Sequence, residues 1–178
     1  MNNPVYIYES ERLKFRRIGI EDYDDLAEML TDPEVMYAWE HTFTREQIME
    51  WIDRQLEYYH RDGVGYFAAA SKDTGEIVGQ IGLHYSDFQG NRVLEVCYML
   101  KKRFWNQGYA LEGAKAWLDY AKEQLGVNEA YAFVRTSNPS SMRVAEKAGM
   151  HRAGTFVKHY NGMDMEHFIY LVRWEGEC

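Results

Sequence analysis

Cysteine is scarce in this chain of 178 residues, which contains only Cys97 and Cys178. We expect no disulfide framework, and so few cysteines fit a reducing compartment. The six histidines are scattered, with no pair at ligand spacing and no cysteine pair beside them. Because a zinc site needs roughly three or four clustered ligands, we predict that the protein binds no metal.

Long apolar runs are also missing from the sequence. No run approaches the roughly 20 residues of a membrane span, and residues 1–4 lack a basic region followed by an apolar one. We therefore expect a soluble, cytoplasmic protein without a membrane partner.

Basic side chains are in the minority, with 20 lysines and arginines against 28 aspartates and glutamates and a formal net charge of −8. Such a field repels a phosphate backbone, so we expect no nucleic acid partner. The same field slightly favours a cationic acceptor such as an amine. The sequence leaves open whether the protein is a monomer or a homodimer.

Hydrophobic residues make up 46% of the chain and aromatic residues 15%. This composition is typical of a folded protein and argues against disorder. The length supports one core of ordinary size, so we predict a single domain over residues 1–178.

Strand-like and helical patterns follow one another in the order β-αα-βββ-α-β-α-ββ. This order predicts an α/β fold of the mixed α+β kind, with helices on both faces of a central, mixed, mostly antiparallel sheet of seven strands. Segment 93–135 should form a parallel strand–helix–strand crossover, and Asn161-Gly162 a type I′ hairpin turn. The predicted strands are 11–17, 65–71, 77–84, 93–101, 130–135, 152–160 and 163–173, and the predicted helices are 20–30, 44–60, 109–125 and 139–148.

Residues 105–110, with the sequence WNQGYA, connect the strand-like run 93–100 to the helix that begins at Tyr109. The first four backbone N–H groups of a helix are unpaired and carry a positive partial charge, so they can bind phosphate oxygens. Gly108 has no side chain to keep a pyrophosphate away from these groups. A single glycine before a helix also fits an ordinary turn, so the loop alone leaves both interpretations open.

A second motif lies at residues 138–150, with the sequence NPSSMRVAEKAGM, after the strand-like run 130–135. Together the two motifs resemble the GNAT superfamily of acetyl-coenzyme-A-dependent N-acetyltransferases, and most closely the branch that acetylates the N-terminal residues of ribosomal proteins. Residues 11–16 are similar to the opening strand of that branch, residues 95–100 to its central strand, and Asn161-Gly162 to its closing hairpin.

This resemblance implies an N-acetyltransferase with acetyl-CoA as cofactor and a primary amine as acceptor. The amine, on a protein N-terminus or a small molecule, would attack the thioester directly in a ternary complex. The alternative is a noncatalytic sensor that binds an acyl-CoA and transfers nothing.

The resemblance also implies which residues contact the cofactor. A free backbone N–H near Met99 or Leu100 would polarise the thioester carbonyl. Asn106 stands where the branch usually has glycine, and asparagine is the non-glycine residue that best tolerates a positive φ. The basic run 101–103 could meet phosphates or could be a solvated charge run. The implied contacts are Tyr98, Met99, Leu100, Arg103, Asn106, Gln107, Gly108, Tyr109, Ala110, Asn138, Ser141 and Lys147.

Glu95 is the candidate general base, acting directly or through a water. Strand alternation places it on the face opposite Leu94 and Val96, and a carboxylate between apolar neighbours is costly unless it is paired. The alternative is therefore a salt bridge, for instance to an arginine on an adjacent strand. Near neutral pH a lysine-type amine costs about 4 kcal/mol to deprotonate and an α-amine about 1 kcal/mol or less, so the need for a base depends on the acceptor.

Ser141 is the candidate proton donor to the leaving thiolate, because no tyrosine occupies residues 141–149, where many superfamily members carry a general acid. The alternative is a first-turn serine bonded to local backbone. Asn138 could contact the pantetheine arm or cap the helix before Pro139, and one amide can do both. Cys97 is rejected as a nucleophile, because a cysteine in a core strand behaves as a small hydrophobe.

Overall fold

The computed structural model describes residues 4–175, which form an eight-stranded sheet and four α-helices. Cys178 and the two ends of the predicted domain 1–178 lie outside the described residues. The strands are β1 (Tyr6–Glu9), β2 (Leu13–Arg17), β3 (Tyr66–Ser71), β4 (Ile77–Phe88), β5 (Asn91–Leu100), β6 (Glu129–Arg135), β7 (His151–Tyr160) and β8 (Met163–Arg173). The helices are α1 (Tyr23–Leu30), α2 (Arg45–Asp62), α3 (Tyr109–Glu123) and α4 (Pro139–Lys147).

The sheet is mixed and mostly antiparallel, in the spatial order β1-β2-β3-β4-β5-β6-β8-β7. Every neighbouring pair is antiparallel except β5 and β6, which run parallel. Helix α3 connects these two strands, as the sequence predicts for a strand–helix–strand crossover. The predicted mixed α/β fold is confirmed.

The strand count corrects the prediction of seven. β1 is an additional edge strand, and a bulge between Tyr6 and Tyr8 interrupts its pairing with β2. The predicted first strand, 11–17, begins only at Leu13, because the Ser10 hydroxyl accepts a hydrogen bond from the Leu13 N–H (3.2 Å) and closes a turn. Four residues beside a bulge are too few to give a clear alternating pattern.

Caps and turns form where short-range sequence signals predict them. The Thr44 hydroxyl accepts from the Gln47 N–H and the Gln47 side chain accepts from the Thr44 N–H, which is the capping box of α2. Asn161-Gly162 has positive φ at both residues, as a type I′ turn requires. Gln89-Gly90 does too, so the β4–β5 hairpin is tighter than predicted and β4 extends beyond the predicted segment 77–84.

Hydrophobic clusters cover both faces of the sheet. On one face, Trp117 of α3 is fully buried and stacks on Phe67 of β3, with ring centroids 4.5 Å apart. On the other face, α1 and α2 pack over Ala68 and Cys97. The neighbours Phe67 and Ala68 belong to opposite clusters, because successive residues of a strand point to opposite faces.

Strands β5 and β6 separate towards their carboxyl ends. In the described chain their ladder contains one pair of facing residues, Glu95 and Tyr131, although β5 continues to Leu100. Ligands in open α/β sheets bind beyond the carboxyl ends of strands that diverge. We call the space between residues 96–100 and residues 132–135 the strand gap.

Candidate functional site

Two cavities meet at the strand gap. A long cleft of about 510 Å³ is lined by the end of β5, the loop that follows it and the first turns of α3 and α4. A small cavity of about 170 Å³ is lined by β4, β5, β6, β7 and β8. The two share the lining residues Ala38, Trp39, Tyr98, Asn138 and Ser141. A ligand in the long cleft can therefore contact a second ligand in the small cavity.

The loop before α3 exposes backbone N–H groups to the long cleft. Asn106 has φ of 59° and Gly108 has φ of 82°, so asparagine adopts the left-handed conformation expected of it. No side chain caps the helix start at Gly108. The first-turn N–H groups of α3 thus form a site suited to an anion.

Arg12, between β1 and β2, contacts this loop and the first turn of α3. Its Nε donates to Glu112 Oε2 (2.6 Å), its Nη1 donates to the Gln107 carbonyl (3.0 Å), and its guanidinium carbon lies 4.4 Å from the centre of the Tyr109 ring. Burial acts to raise the pKa of Glu112, but hydrogen bonds from Ser10 and Arg12 outweigh it and lower that pKa. Sequence reasoning missed Arg12, because about a hundred positions separate it from its partners.

The basic run 101–103 points away from the long cleft. The buried Lys101 ammonium lies 2.6 Å from Asp25 and 2.8 Å from Glu28. Arg103 forms ion pairs with Glu28 and Glu76. These carboxylates form ion pairs with two of the basic side chains that could have bound phosphates. Arg103 therefore does not lie with the other predicted contacts.

Helix α4 supplies the basic side chains of the long cleft. Lys147, a predicted contact, and Arg143, which sequence reasoning missed, both line it. Their spacing of four residues on one helix face is the signal that could have found Arg143. Of the predicted contacts, the cleft lining includes Tyr98, Met99, Leu100, Asn106, Gly108, Tyr109, Ala110, Asn138, Ser141 and Lys147, while Arg103 and Gln107 are outside the lining within the described residues.

Asn138 is the N-cap of α4. Its Oδ1 accepts hydrogen bonds from the Ser141 N–H (3.1 Å) and from the Tyr37 hydroxyl (2.6 Å). The side-chain NH₂ takes part in neither bond and remains able to donate to a ligand. Capping and ligand contact are therefore compatible at this residue.

Tyr98 brings a second hydroxyl to Ser141. The Ser141 Oγ donates to the Tyr98 hydroxyl (3.0 Å), which donates in turn to the Ser141 carbonyl (2.9 Å). Burial raises the pKa of Tyr98, so the phenol keeps its proton at neutral pH. The search of residues 141–149 missed this tyrosine, because it comes from β5.

Glu95 lies in the small cavity beside polar groups of β4. Its Oε2 accepts from the Ser86 Oγ (2.8 Å) and lies 3.3 Å from His84 Nε2. No arginine pairs with Glu95 within residues 4–175, and His84 is the residue directly opposite it in the ladder. Burial raises the pKa of the nearby Cys97 thiol, which argues against a thiolate nucleophile.

A backbone N–H of β5 also faces the strand gap. Lys101 N–H donates to the Val78 carbonyl of β4 (3.0 Å), and the N–H groups of a strand point alternately to its two neighbours. The Leu100 N–H therefore points away from β4, and the Leu100 carbonyl accepts from the Trp105 indole (3.1 Å). Of Met99 and Leu100, the geometry favours Leu100 as the free donor.

Residues 4–175 contain no group of three or more histidine, cysteine, aspartate or glutamate side chains that could hold a metal ion. None of the helices in that part is both long and apolar enough to cross a membrane.

The chain matches the acetyltransferase (GNAT) domain family over residues 12–151. It belongs to this family, and the resemblance drawn from the two motifs is confirmed. Over 150 residues it is 33% identical to the uncharacterized protein YkkB of Bacillus subtilis (strain 168), a match that covers 84% of this chain and 87% of YkkB.

Solved structures of acetyltransferases share the fold. A GNAT-family acetyltransferase from Bacillus anthracis superposes with a TM-score of 0.77 at 25% identity, covering 93% of this chain and 97% of that one. The spermidine N-acetyltransferase from Vibrio cholerae, solved with CoA and spermine, gives a TM-score of 0.73 at 17% identity, covering 91% and 95%. The predicted class of enzyme, an acyltransferase, is likewise confirmed.

Proposed function

We propose that this acyltransferase moves an acetyl group from acetyl-CoA to a primary amine by direct attack in a ternary complex. The meeting of the long cleft and the small cavity at Tyr98 and Ser141 supports this function most directly. A cofactor in one cavity and an amine in the other would come into contact there without a covalent enzyme intermediate.

The long cleft fits the cofactor. Acetyl-CoA supplies a thioester, whose carbonyl carbon is open to an amine nucleophile. The first-turn N–H groups of α3 beyond Gly108 suit its pyrophosphate, and Arg143 and Lys147 suit its phosphates. The free NH₂ of Asn138 suits the amide-rich pantetheine arm. The neighbour from Vibrio cholerae was solved with CoA, which agrees with this assignment.

The Leu100 N–H is placed to stabilise negative charge on the thioester oxygen. It faces the strand gap rather than the β4 ladder, and it needs no rearrangement to donate. One preorganised donor of this kind contributes about 3–4 kcal/mol to the transition state.

Tyr98 and Ser141 hold the proton that the leaving sulfur needs. Burial raises the pKa of Tyr98, and the hydrogen bond from Ser141 acts to lower it. The hydroxyl is protonated at neutral pH, and the Ser141 hydrogen bond favours donation of that proton. The Ser141 Oγ, 3.0 Å away, donates a hydrogen bond to the Tyr98 oxygen, which would stabilise the phenolate until a proton from solvent restores the phenol. This pair takes the place of the tyrosine that many superfamily members carry on α4.

Glu95 accepts the proton of the attacking amine. Its carboxylate is held by Ser86 and faces the small cavity, where the amine would enter. His84 lies on the same side and can assist in passing the proton on.

A thiol-release assay tests the function as a whole. The purified chain, given acetyl-CoA and a panel of small amines and peptides with free N-termini, is expected to release CoA thiol in step with acetylated amine found by mass spectrometry. Binding of acetyl-CoA without thiol release above background for any amine would instead support the noncatalytic sensor.

Gly108→Ala should weaken acetyl-CoA binding by about tenfold or more, because a methyl group would lie between the ligand and the helix N–H groups. The added Cβ would also come within 3.2 Å of Arg12 Nη2. Gly126→Ala is the control, since its φ of +65° imposes a similar backbone strain in open surroundings. Calorimetry that gives the two folded variants equal affinity would remove this loop from the site.

Glu95→Gln should lower kcat/KM at neutral pH and recover part of the loss as the pH rises, because the amine then loses its proton unaided. Glu129→Gln is the control, since Glu129 is a strand carboxylate that pairs with Arg173 on the surface. A parental pH–rate profile in the Glu95 variant would show that this carboxylate is structural.

Tyr98→Phe keeps the ring and removes only the hydroxyl. We expect kcat to fall by about a hundredfold, within the range of general acids, with an unchanged dissociation constant for acetyl-CoA. Tyr170→Phe is the control, because Tyr170 is a buried tyrosine outside the linings of the two cavities and its hydroxyl donates to Glu146. Steady-state rates equal to the parent's would exclude Tyr98 as the proton donor.

A further inference from the structure

One end of the small cavity carries positive charge. Arg135, at the end of β6, and Lys158, on β7, both line it, together with His167. His167 faces Arg135 across the β6–β8 ladder. The other end of the cavity contains Glu95, which faces Tyr131 of β6. Arg135 is four residues further along β6 than Tyr131, so the backbone positions of the two ends are roughly 13 Å apart along the strand.

Arg135 has unused hydrogen-bonding capacity. Its Nη2 donates to Glu40 Oε1 (2.7 Å), but its Nε and Nη1 are buried without a hydrogen-bond partner in the described chain. A buried donor left unpaired costs about 1–3 kcal/mol, and more when the group is charged. The side chain is 14% exposed, so bulk water does not readily satisfy these groups.

Lys158 adds a second cation to this end of the cavity. It is exposed and forms no salt bridge within residues 4–175. Burial lowers the pKa of His167, and the charges of Lys158 and Arg135 lower it further, while a hydrogen bond to the Met165 carbonyl and the charge of Glu95 act to raise it. Two cations, Arg135 and Lys158, thus line this end of the cavity, although the chain as a whole is acidic.

We infer that Arg135 and Lys158 bind an anionic group, a carboxylate or a phosphate, carried by the acceptor amine. The inference rests on the proposed function and names its substrate class: a small amine that bears its own acidic group. A guanidinium presents its N–H groups as a planar fork that matches two oxygens of one anion. The acidic group would bind at Arg135 and Lys158 while the amine faces the thioester near Ser141.

Matched pairs of amines test this inference. Free amino acids are compared with their amides, and phosphorylated amino alcohols with the parent amino alcohols, by thiol release with acetyl-CoA. We expect the acidic member of the best pair to have a kcat/KM about 10- to 100-fold higher, as for hydrogen bonds to a charged group. The two series distinguish carboxylate from phosphate.

Three variants assign the preference to these side chains. Arg135→Gln should abolish it, mainly by raising KM, whereas Glu40→Gln should keep it, because that change removes only the negative charge beside Nη2. Lys158→Ala should reduce it, and this exposed side chain offers a test that does not depend on folding of the Arg135 variant.

The outcomes separate this inference from the proposed function. Equal rates for acidic and neutral members, or a Glu40→Gln variant that loses the preference as Arg135→Gln does, would overturn the anion site while acetyl transfer stands. Acetyl-CoA binding without acetylation of any member of either series, or of any amine or peptide in the wider panel, would overturn both.

Discussion

The separation of β5 and β6 is the constraint on which the site depends. If these strands stayed paired, the ladder would use the Leu100 N–H and close the space between Tyr98 and Ser141. Each strand keeps its other neighbour where the two diverge: β5 pairs with β4 up to Leu100, and β6 pairs with β8 along its length. The strand gap thus depends on pairing between residues far apart in sequence, and the side chains that line it do not create it.

Much of the fold could be predicted from short-range signals, because caps, turns and alternation depend on residues close in sequence. The capping box at Thr44 and the turn at Asn161-Gly162 formed where their residue types require them. The errors arose where tertiary contacts decide the outcome. β1 exists because the edge of β2 offers it a partner, and the segment 11–17 is shortened by a turn that the Ser10 side chain closes.

In the candidate site, too, local features could be predicted from the sequence and tertiary contacts could not. The loop around Gly108 and the helix start at Asn138 could be located from sequence, since a glycine before a helix and an N-cap before proline are local features. Tyr98 beside Ser141 could not, because the approach of β5 to α4 creates that contact. Arg103 shows the reverse case: its charge suggested a phosphate ligand, but Glu28 and Glu76 from other elements bind it.

The acidic net charge is unevenly distributed around the site, and this decides what the site can hold. Carboxylates of α1, together with Glu34 and Glu76, neutralise the basic run 101–103, so in the proposed function α4 and the start of α3 bind the phosphorylated cofactor. In the small cavity Glu40 accepts a hydrogen bond from Arg135 Nη2, while Nε and Nη1 of Arg135 have no partner in the described chain. Because screening limits the reach of exposed charges to about 8–10 Å, the few charges beside a ligand outweigh a net charge summed over the whole surface. An acidic chain can therefore hold an anionic cofactor and, at Arg135, an anionic acceptor.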